Sequence, residues 1–512
     1  LVDALGVEID SVTYSHDGDW AMRRRGPLDQ GHRGWIWQSL ADGGGSSLEL
    51  VNPMLSNKQG QNWLDSLAAG GSPGAVNSVA STDVPPFISK VSHAPLVPTS
   101  LDLVVVRAEL TDEQLTSALS ATVHYRISTG TPGAFTVLAM ADDGLSGDDL
   151  PGDGVFAAAL PAHADGTVIE FYIEAGDGTQ IRTWPGPTDG LGAQEANALY
   201  AVEDAQVSDT REVYRVVLPV PEDNEFAFGN FDPLSNAQMN ATFIVTRGAD
   251  REVRYRAGLR RRGNGSRLEN PRTLRLNLPD DEKWDDVASL NLNADHSYLQ
   301  IFGHKLFAAS CLPGGAGRSV KLLINGGDEA NGTSRDYGYY AHMEPQGSLS
   351  VERQFPDDSA GNLYSKRSPS ADLAYYNGDL TAYPDDGWSK QTNTSDWDWA
   401  DVDALMGAIN DSANPDYIAN LEAQLDIEQW VRWFAVNALL GNGEASLTTG
   451  KDDDYNIYRG TIDTRFRLIP HDLDSILGFG GNYQRTIFNM YESGPGIDIL
   501  EDFFLPPEVL PR

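Results

Sequence analysis

The segment GNGEASLTTGKDDDYNIYRGTIDTRFRLIPHDLDSILGFGG, residues 441–481, decides the fold class of the region that surrounds it. Two pieces of it, YNIYR (455–459) and RFRLIP (465–470), alternate apolar and polar side chains as β-strands do. The short turn GTIDT joins the two pieces. We therefore predict that they pair as an antiparallel hairpin.

Three polar side chains should meet at the open end of this hairpin. Because the start of one antiparallel strand lies beside the end of the other, Asn456 should lie near Asp472 and Asp474. An amide oxygen and carboxylates form a hard-oxygen ligand set that suits Mg²⁺ or Mn²⁺ carrying phosphates. The pattern predicts a metal site, although the same residues could only cap the hairpin and solvate its rim.

A helix is predicted directly before this segment, in LDIEQWVRWFAVNALLGN (425–442). Asp426 and Gln429 fit a capping box there. The apolar stripe consists of Ile427, Trp430, Val431, Phe434 and Ala438. A helix, an acidic loop, an Asn, a hairpin and an Asp follow one another in this order in the catalytic segment of protein kinases. This order predicts phosphoryl transfer, in which metal ligands neutralise the triphosphate and a carboxylate accepts the hydroxyl proton.

From Val207, strand-like segments run to about residue 280 and helical patterns follow, which predicts an α+β domain. Residues 207–512 resemble the spore coat protein H (CotH) kinase family. The motifs that carry the resemblance are RRRGNGSR (260–267), PRTLRLNL (271–278), SLNLN (289–293), INGGD (324–328), GYYAHME (338–344), GNLYSKR (361–367), LDIEQWVRW (425–433) and IPHDLDSILG (469–478). The resemblance implies an atypical kinase that transfers phosphate from ATP to protein Ser or Thr. By the same resemblance Asn456 and Asp472 would bind Mg²⁺ or Mn²⁺, with Asp474 as a second ligand or a support.

The resemblance also implies which side chains contact the nucleotide. Arg272 or Arg275 would contact its phosphates, at positions where family members usually carry lysine, and Glu344 would orient that cation or help to hold the metal. Lys366 is an alternative cation, and the arginine cluster that ends at Arg262 could attract a nucleotide or an anionic substrate. Alternatively, these arginines form a solvated strand face that pairs with surface acids.

The general base is predicted to be Glu444, which stands where many family members carry Asp. An acid from Asp452–Asp454 could serve instead. The substitution of Glu for Asp and of Arg for Lys leaves a second reading open, an inactive kinase-like scaffold. A third reading is a surface-attachment or glycan-binding protein.

Two all-β modules are predicted before the kinase-like region, so that the fold class is multidomain. Residues 1–79 resemble the C-terminal part of the bacterial lamin-tail domain through the stretch GWIWQSLADGGGSSLELVNPMLSNKQGQNWLDSLAAGGSPGAVN (34–77), whose tryptophans we expect in a core. Residues 85–203 contain period-two segments that predict an immunoglobulin-like β-sandwich.

The loop DDGLSGDDLPGDGVF (142–156) offers five carboxylates that could bind calcium. These acids are Asp142, Asp143, Asp148, Asp149 and Asp153. Their spacing does not fit a calcium-binding hand loop, and Asp and Gly are also the residues that tight turns require. Both interpretations of this loop remain open.

The composition of the chain argues against two classes of partner, nucleic acid and anionic membranes. The 74 acidic against 37 basic residues give a net charge of -37, which would repel nucleic acid and anionic membrane surfaces. The single cysteine, Cys311, excludes internal disulfides, and its apolar context predicts a small buried residue. No run of apolar residues is long enough for a membrane span. The charge suits an extracellular setting. Together with the resemblance, which implies ATP and a protein substrate or cell-surface partner, it leads us to expect an extracellular or cell-surface bacterial protein.

Overall fold

The computed structural model describes residues 1–113, 119–145, 147–263, 265–333, 335–366, 373–442 and 454–478. They form two compact units, Leu1–Ser289 with Val320–Asn331 and Leu290–Ser319 with Gly332–Arg512. Strands dominate the described residues. The helices are α1 (Val220–Phe226), α2 (Ser297–Ala309), α3 (Ser348–Gln354), α4 (Ala382–Asp385), α5 (Ala400–Asn410), α6 (Tyr417–Gln424) and α7 (Ile427–Leu440).

The strands of the N-terminal modules come before the first helix. They are β1 (Met22–Arg25), β2 (Trp35–Gln38), β3 (Leu48–Leu50), β4 (Trp63–Asp65), β5 (Phe87–Ala94), β6 (Val104–Thr111), β7 (Ser120–Ile127), β8 (Thr136–Met140), β9 (Val155–Leu160), β10 (Val168–Gly176), β11 (Ile181–Trp184) and β12 (Ala198–Ala201). β1 pairs with β2 and β3 with β4, both antiparallel. Trp35 is buried, as expected, whereas Trp37 and Trp63 are only half-buried. The lamin-tail resemblance stays a prediction.

A β-sandwich follows in the region predicted for it. β5, β6 and β9 form one antiparallel sheet, and β10 pairs with β7, β11 and β12 in another that also contains β8. Side chains from both sheets, such as Val106 and Phe171, share one buried cluster. β6 alternates buried and half-buried residues along its length, which is the period that predicted a strand. The immunoglobulin-like assignment stays a prediction.

The later strands belong to the region that resembles a kinase. They are β13 (Glu212–Val217), β14 (Met239–Arg247), β15 (Asp250–Arg261), β16 (Leu274–Asn277), β17 (Ser289–Asn293), β18 (Gly317–Ile324), β19 (Gly327–Asp328), β20 (Tyr340–Met343), β21 (Asn362–Lys366), β22 (Trp388–Lys390), β23 (Tyr455–Arg459) and β24 (Arg467–Pro470). In the first unit the strand order is β16-β15-β14-β13-β18-β19, and only the β13–β18 pair is parallel.

The second unit combines a four-stranded antiparallel sheet, in the order β22-β21-β23-β24, with helices α2–α7. The predicted hairpin is confirmed, because β23 pairs with β24 from Tyr455–Pro470 to Tyr458–Arg467. The hydrophobic core of the second unit contains Trp399, Trp430, Trp433, Tyr364 and Tyr455. The kinase-like α+β assignment of residues 207–512 as a whole, and the predicted domain boundaries, stay predictions.

Helix α7 begins at the residue that the sequence indicated. Asp426 is its N-cap and accepts a hydrogen bond from the backbone N–H of Gln429 at 3.2 Å. The reciprocal half of the predicted capping box is absent, because the Gln429 side chain binds the backbone of Leu468 instead. Gly441 ends the helix in the left-handed conformation, with φ of 61°.

Candidate metal and nucleotide site

Asn456 is the second residue of β23, a central strand of the four-stranded sheet. It pairs with Ser365 on one side and with Ile469 on the other. The residue is only 1% exposed. Neither Oδ1 nor Nδ2 of its amide has a hydrogen-bond partner in the described part of the chain. A buried polar group without a partner costs roughly 1–3 kcal/mol, and native proteins tolerate it mainly where it has a function. An amide oxygen free of protein donors fits a ligand of a hard divalent cation.

Asp472 comes two residues after the end of β24, at the open end of the hairpin. Gln300 of α2 binds this segment with both ends of its own amide. Nε2 of Gln300 donates to Oδ1 of Asp472, and Oε1 accepts the N–H of Leu473 at 3.2 Å. One side chain therefore positions the carboxylate and the backbone that follows it. Asp474, two residues further along, is half-buried.

The same end of the hairpin is closed by a contact between its two strands. The backbone N–H of His471 donates to the carbonyl of Asp454 at 3.3 Å, and Nδ1 of His471 lies 3.6 Å from the Asp454 carboxylate. Asp454 was the last of three alternative acids for the general base. The preferred base, Glu444, and two of the alternatives, Asp452 and Asp453, lie outside the described residues. Asp454 therefore stands beside the metal candidates, and the choice of base stays a prediction.

The C-terminal end of α7 is tied to the same segment. Oδ1 of Asn442 accepts from Ser475 Oγ at 3.2 Å, and its Nδ2 donates to Oδ1 of Asn437 at 2.9 Å. All three residues are buried. The helix that delivers the acidic loop is thus fixed to the segment that carries Asp472.

His304 of α2 lies in the interior near this segment. Its Nδ1 accepts the backbone N–H of Gly315 at 2.9 Å. Burial, helped by the neighbouring His471 and Arg353, lowers the pKa of His304 to about 3. The imidazole is therefore neutral at physiological pH and acts as an acceptor that holds α2 in place.

Lys366, the alternative phosphate-binding cation, is used elsewhere. Its side chain is 0% exposed, lies 2.9 Å from an Asp386 carboxylate oxygen and stands 4.8 Å from the ring centre of Trp388. Ser365 is the direct cross-strand partner of Asn456, and successive side chains of a strand point to opposite faces. Lys366 and Asn456 therefore project from opposite faces of the sheet, so the structure does not bring them together.

The predicted arginines lie in the first unit. Arg272 is buried, with Nη2 2.6 Å from the Glu329 carboxylate and its guanidinium 4.7 Å from the centre of the Phe226 ring. Arg275 is half-buried and donates to Asn277 at 3.0 Å and to Ser289 at 2.9 Å. The backbone N–H of Arg262 donates to Thr273 at 3.1 Å.

Arg260 and Arg275 face each other directly on β15 and β16. Burial and the neighbouring Arg275, Arg267 and Arg262 lower the pKa of Arg260 to about 10. These arginines belong to the cluster that the sequence marked, and the attraction of a nucleotide or an anionic substrate to it stays a prediction.

Glu344 follows β20 and is paired in the second unit. Its carboxylate lies 2.6 Å from Nη2 of Arg353, and its backbone N–H donates to Ala316 at 2.9 Å. Arg353 had no role in the sequence analysis. Glu344 therefore orients Arg353, whereas its predicted role toward a nucleotide-binding arginine stays a prediction.

Sequence reasoning missed Gln300, Asn442 as an anchored residue, and Arg353. Gln300 occurs in the apolar stretch SYLQIF, where no motif marks it. The only available signal was its polarity on a helix face that is otherwise buried, since Leu299, Gly303 and Phe307 are buried with it. That signal shows a need for a partner but does not identify Asp472 as the partner.

The acidic loop of the sandwich brings three of its five carboxylates together. Ligand atoms of Asp142, Asp148 and Asp153 all lie within 4.8 Å of one another. Asp142 and Asp148 also accept backbone N–H groups of loop glycines, Gly152 at 2.5 Å and Gly144 at 2.7 Å, as the turn interpretation requires. Calcium binding here stays a prediction.

The remaining acids of that loop lie apart from the group of three. Asp143 accepts the N–H of Leu145 at 2.8 Å, and Asp149 pairs with Arg107 at 3.4 Å. Cys311, which we expected to be buried, is exposed, so that prediction is wrong. It follows the end of α2 in a left-handed conformation, with φ of 58°, and the next residue, Leu312, is buried in the core.

Comparison with known protein families places these residues in context. Residues 259–505 match the family model described as CotH kinase protein. A search of the curated proteins found no match to this chain. The resemblance is thereby confirmed for residues 259–505, a stretch that contains every predicted metal, base and nucleotide residue. None of the described helices has the length and hydrophobicity that a membrane crossing requires.

Proposed function

We propose that this chain is a CotH-type atypical kinase that works outside the cytoplasm and transfers phosphate from ATP to protein Ser or Thr with Mg²⁺ or Mn²⁺. The family match over residues 259–505 supports the class of reaction. The observation that carries the proposal is the buried, unpartnered amide of Asn456 at the hairpin end that also bears Asp472. The donor set fits the ion, because it combines an amide oxygen with carboxylates.

Each residue of the candidate site has one role in this proposal. Asn456 and Asp472 would hold the cation, which neutralises charge on the triphosphate when bound. Gln300 would orient Asp472 toward it. Asp454 or Glu444 would accept the proton of the acceptor hydroxyl. The anchored end of α7 would place the loop that carries Glu444.

The test is metal-dependent nucleotide binding, measured as a thermal shift with ATP and Mg²⁺ or Mn²⁺. Ligand at about 100 times its dissociation constant should stabilise the protein by about 2.7 kcal/mol. Asp472→Ala should abolish this shift. Because Nε2 of the buried Gln300 loses its acceptor, the melting temperature without ligand should fall as well, so each shift is measured against the unliganded protein of the same variant. Asp357→Ala, which removes an exposed carboxylate of the same unit, is the matched control and should retain the full shift. Loss of the shift in both variants would contradict the assignment of Asp472.

The second candidate function is a kinase-like scaffold without catalytic activity. One observation favours it: two of the predicted phosphate-binding cations, Arg272 and Lys366, are already held by Glu329 and Asp386. Absence of any nucleotide shift in the parent protein, with either metal, would favour the scaffold. Incorporation of phosphate from ATP into a protein substrate by the parent, and not by Asp472→Ala, would exclude it.

A further inference from the structure

The second unit contains a cavity of about 520 Å³ that the proposed kinase chemistry does not use. Its wall comes from the end of α2, the end of α3, the first turns of α7, and Arg467 at the start of β24. In the β23–β24 pair, Arg467 faces Tyr458, whereas Tyr455 and Pro470 pair at the end that bears Asn456 and Asp472. Three residues of strand separate the two ends, about 10 Å. The cavity is therefore distinct from the metal candidates.

Three arginines line this cavity, and each of them is paired with an acid. Arg353, Arg432 and Arg467 line it, together with two acids, Asp426 and Glu428. The Arg432 side chain is 52% exposed and pairs with Glu428, which is 62% exposed. Exposed ion pairs contribute little to stability, so an anionic ligand could replace Glu428 at small cost.

The rest of the wall is apolar or offers unused hydrogen-bonding groups. Leu312, Pro313 and Phe355 supply apolar surface, and the Arg467 guanidinium lies 5.5 Å from the centre of the Phe355 ring. Both amide atoms of Gln354 are buried and have no hydrogen-bond partner in the described ranges. A concave, partly apolar site with a few convergent polar groups is typical of small-molecule binding.

We propose that this cavity binds a small carboxylate with an aromatic or similarly flat apolar body. The carboxylate would pair with Arg432 in place of Glu428 and accept a hydrogen bond from Nε2 of Gln354, and the apolar body would lie against Leu312 and Phe355. The volume is sufficient for such a ligand, because pockets that hold small molecules range from about 300 to 1,000 Å³.

Helix α2 connects this site to the metal candidates. Ala308 at its C-terminal end lines the cavity, and Gln300 in its first turns holds Asp472. Eight residues of helix span about 12 Å. The cavity and the candidate metal site therefore lie at opposite ends of one helix.

Cys311 provides a direct test, because it is the only cysteine of the chain, is exposed and lines the cavity. The probe is dithiobisnitrobenzoate, an aromatic carboxylate disulfide. The Cys311 thiolate attacks one sulfur of the probe, forms a mixed disulfide and releases thionitrobenzoate, so that the thiol is oxidised and the probe reduced. The neutral disulfide dithiodipyridine serves as the reference, with both rates normalised to those of mercaptoethanol.

If the cavity binds aromatic carboxylates, the reaction with dithiobisnitrobenzoate should saturate with probe concentration and should be competed by benzoate. It should also exceed the normalised rate of the neutral probe, although the net charge of the chain repels an anion. Arg432→Gln should weaken the competition by benzoate about two- to fivefold, the effect expected for one exposed ion pair. The neutral probe should react with this variant at the parental rate.

Lys305→Gln is the matched control, because it removes one positive charge from an exposed position of α2 outside the lining. It should leave both reactions unchanged. A rate that rises linearly without saturation, no competition by benzoate, or equal effects of Arg432→Gln and Lys305→Gln would overturn the proposal. None of these readouts requires kinase activity, so failure here is distinguishable from failure of the proposed function.

Discussion

At the scale of single residues, Gln300 has the most direct influence on the candidate site. Its amide bridges the Asp472 carboxylate and the backbone of Leu473, so rotation of Asp472 would break a hydrogen bond. Groups that orient a metal ligand typically change metal affinity by 10- to 100-fold. The role is one of positioning, since Gln300 is not itself expected to contact metal.

We expect Gln300→Leu to weaken Mn²⁺-dependent ATP binding by about tenfold, because the carboxylate loses its orienting donor. Titration of ATP at fixed Mn²⁺ checks this. Gln300→Glu would place two carboxylates together and should weaken binding further, whereas Lys305→Ala on the same helix should have no effect. Unchanged affinity in Gln300→Leu, with an intact fold, would show that the contact does not position the metal ligand.

At the level of secondary-structure elements, hydrogen bonds join α7 to the β23–β24 hairpin. The Gln429 side chain donates to the Leu468 carbonyl at 2.7 Å and accepts its N–H at 2.9 Å. Both backbone groups of Leu468 on the outer edge of β24 therefore have hydrogen-bond partners. Trp430 Nε1 donates to the carbonyl of Phe466 at 2.9 Å. An edge strand normally leaves such groups unpaired. Helix α7 therefore covers the edge of the sheet that carries Asn456.

Gln429→Ala should destabilise the second unit by about 1–3 kcal/mol, because two backbone groups of the buried Leu468 lose their partners. Amide hydrogen exchange should show faster exchange at Leu468 than in the parent. Glu428→Ala changes the neighbouring exposed residue of the same turn and should leave that exchange rate as it is. Equal protection of Leu468 in both variants would mean that Gln429 does not cover the strand edge.

At the scale of the whole molecule, the net charge of -37 is the dominant property. Self-repulsion among like charges destabilises a compact state, and salt screens it over a Debye length of about 8 Å at 0.15 M. Buried ion pairs, such as Arg215 with Glu203 at 2.8 Å, are screened much less. At low salt, the loss of folding stability from charge repulsion should therefore exceed the gain from stronger ion pairs.

We expect the melting temperature to rise with sodium chloride up to about 0.15 M and then to level off, as screening predicts. Calorimetry over a series of salt concentrations checks this. A rise that continues linearly to molar salt would indicate a specific-ion effect instead, and a fall would show that exposed ion pairs outweigh repulsion.

Local sequence patterns were sufficient to predict the secondary-structure elements of the candidate site. The alternation in YNIYR and RFRLIP was sufficient to predict the hairpin, and the cap at Asp426 placed the start of α7, because these signals depend on neighbours within a few residues. The family match at residues 259–505 agrees with the motifs that were found in order along the chain.

The identity of the hydrogen-bond and ion-pair partners, by contrast, follows from long-range packing. Gln300 and Asp472 are 172 positions apart, and Arg272 and Glu329 are 57 apart, so no local pattern connects them. Lys366 could be predicted as a cation, but the pairing of Ser365 with Asn456 decided the face on which it lies. Burial of an amide such as Asn456 and capture of a cation by a distant acid depend on long-range packing, which periodicity and spacing do not encode.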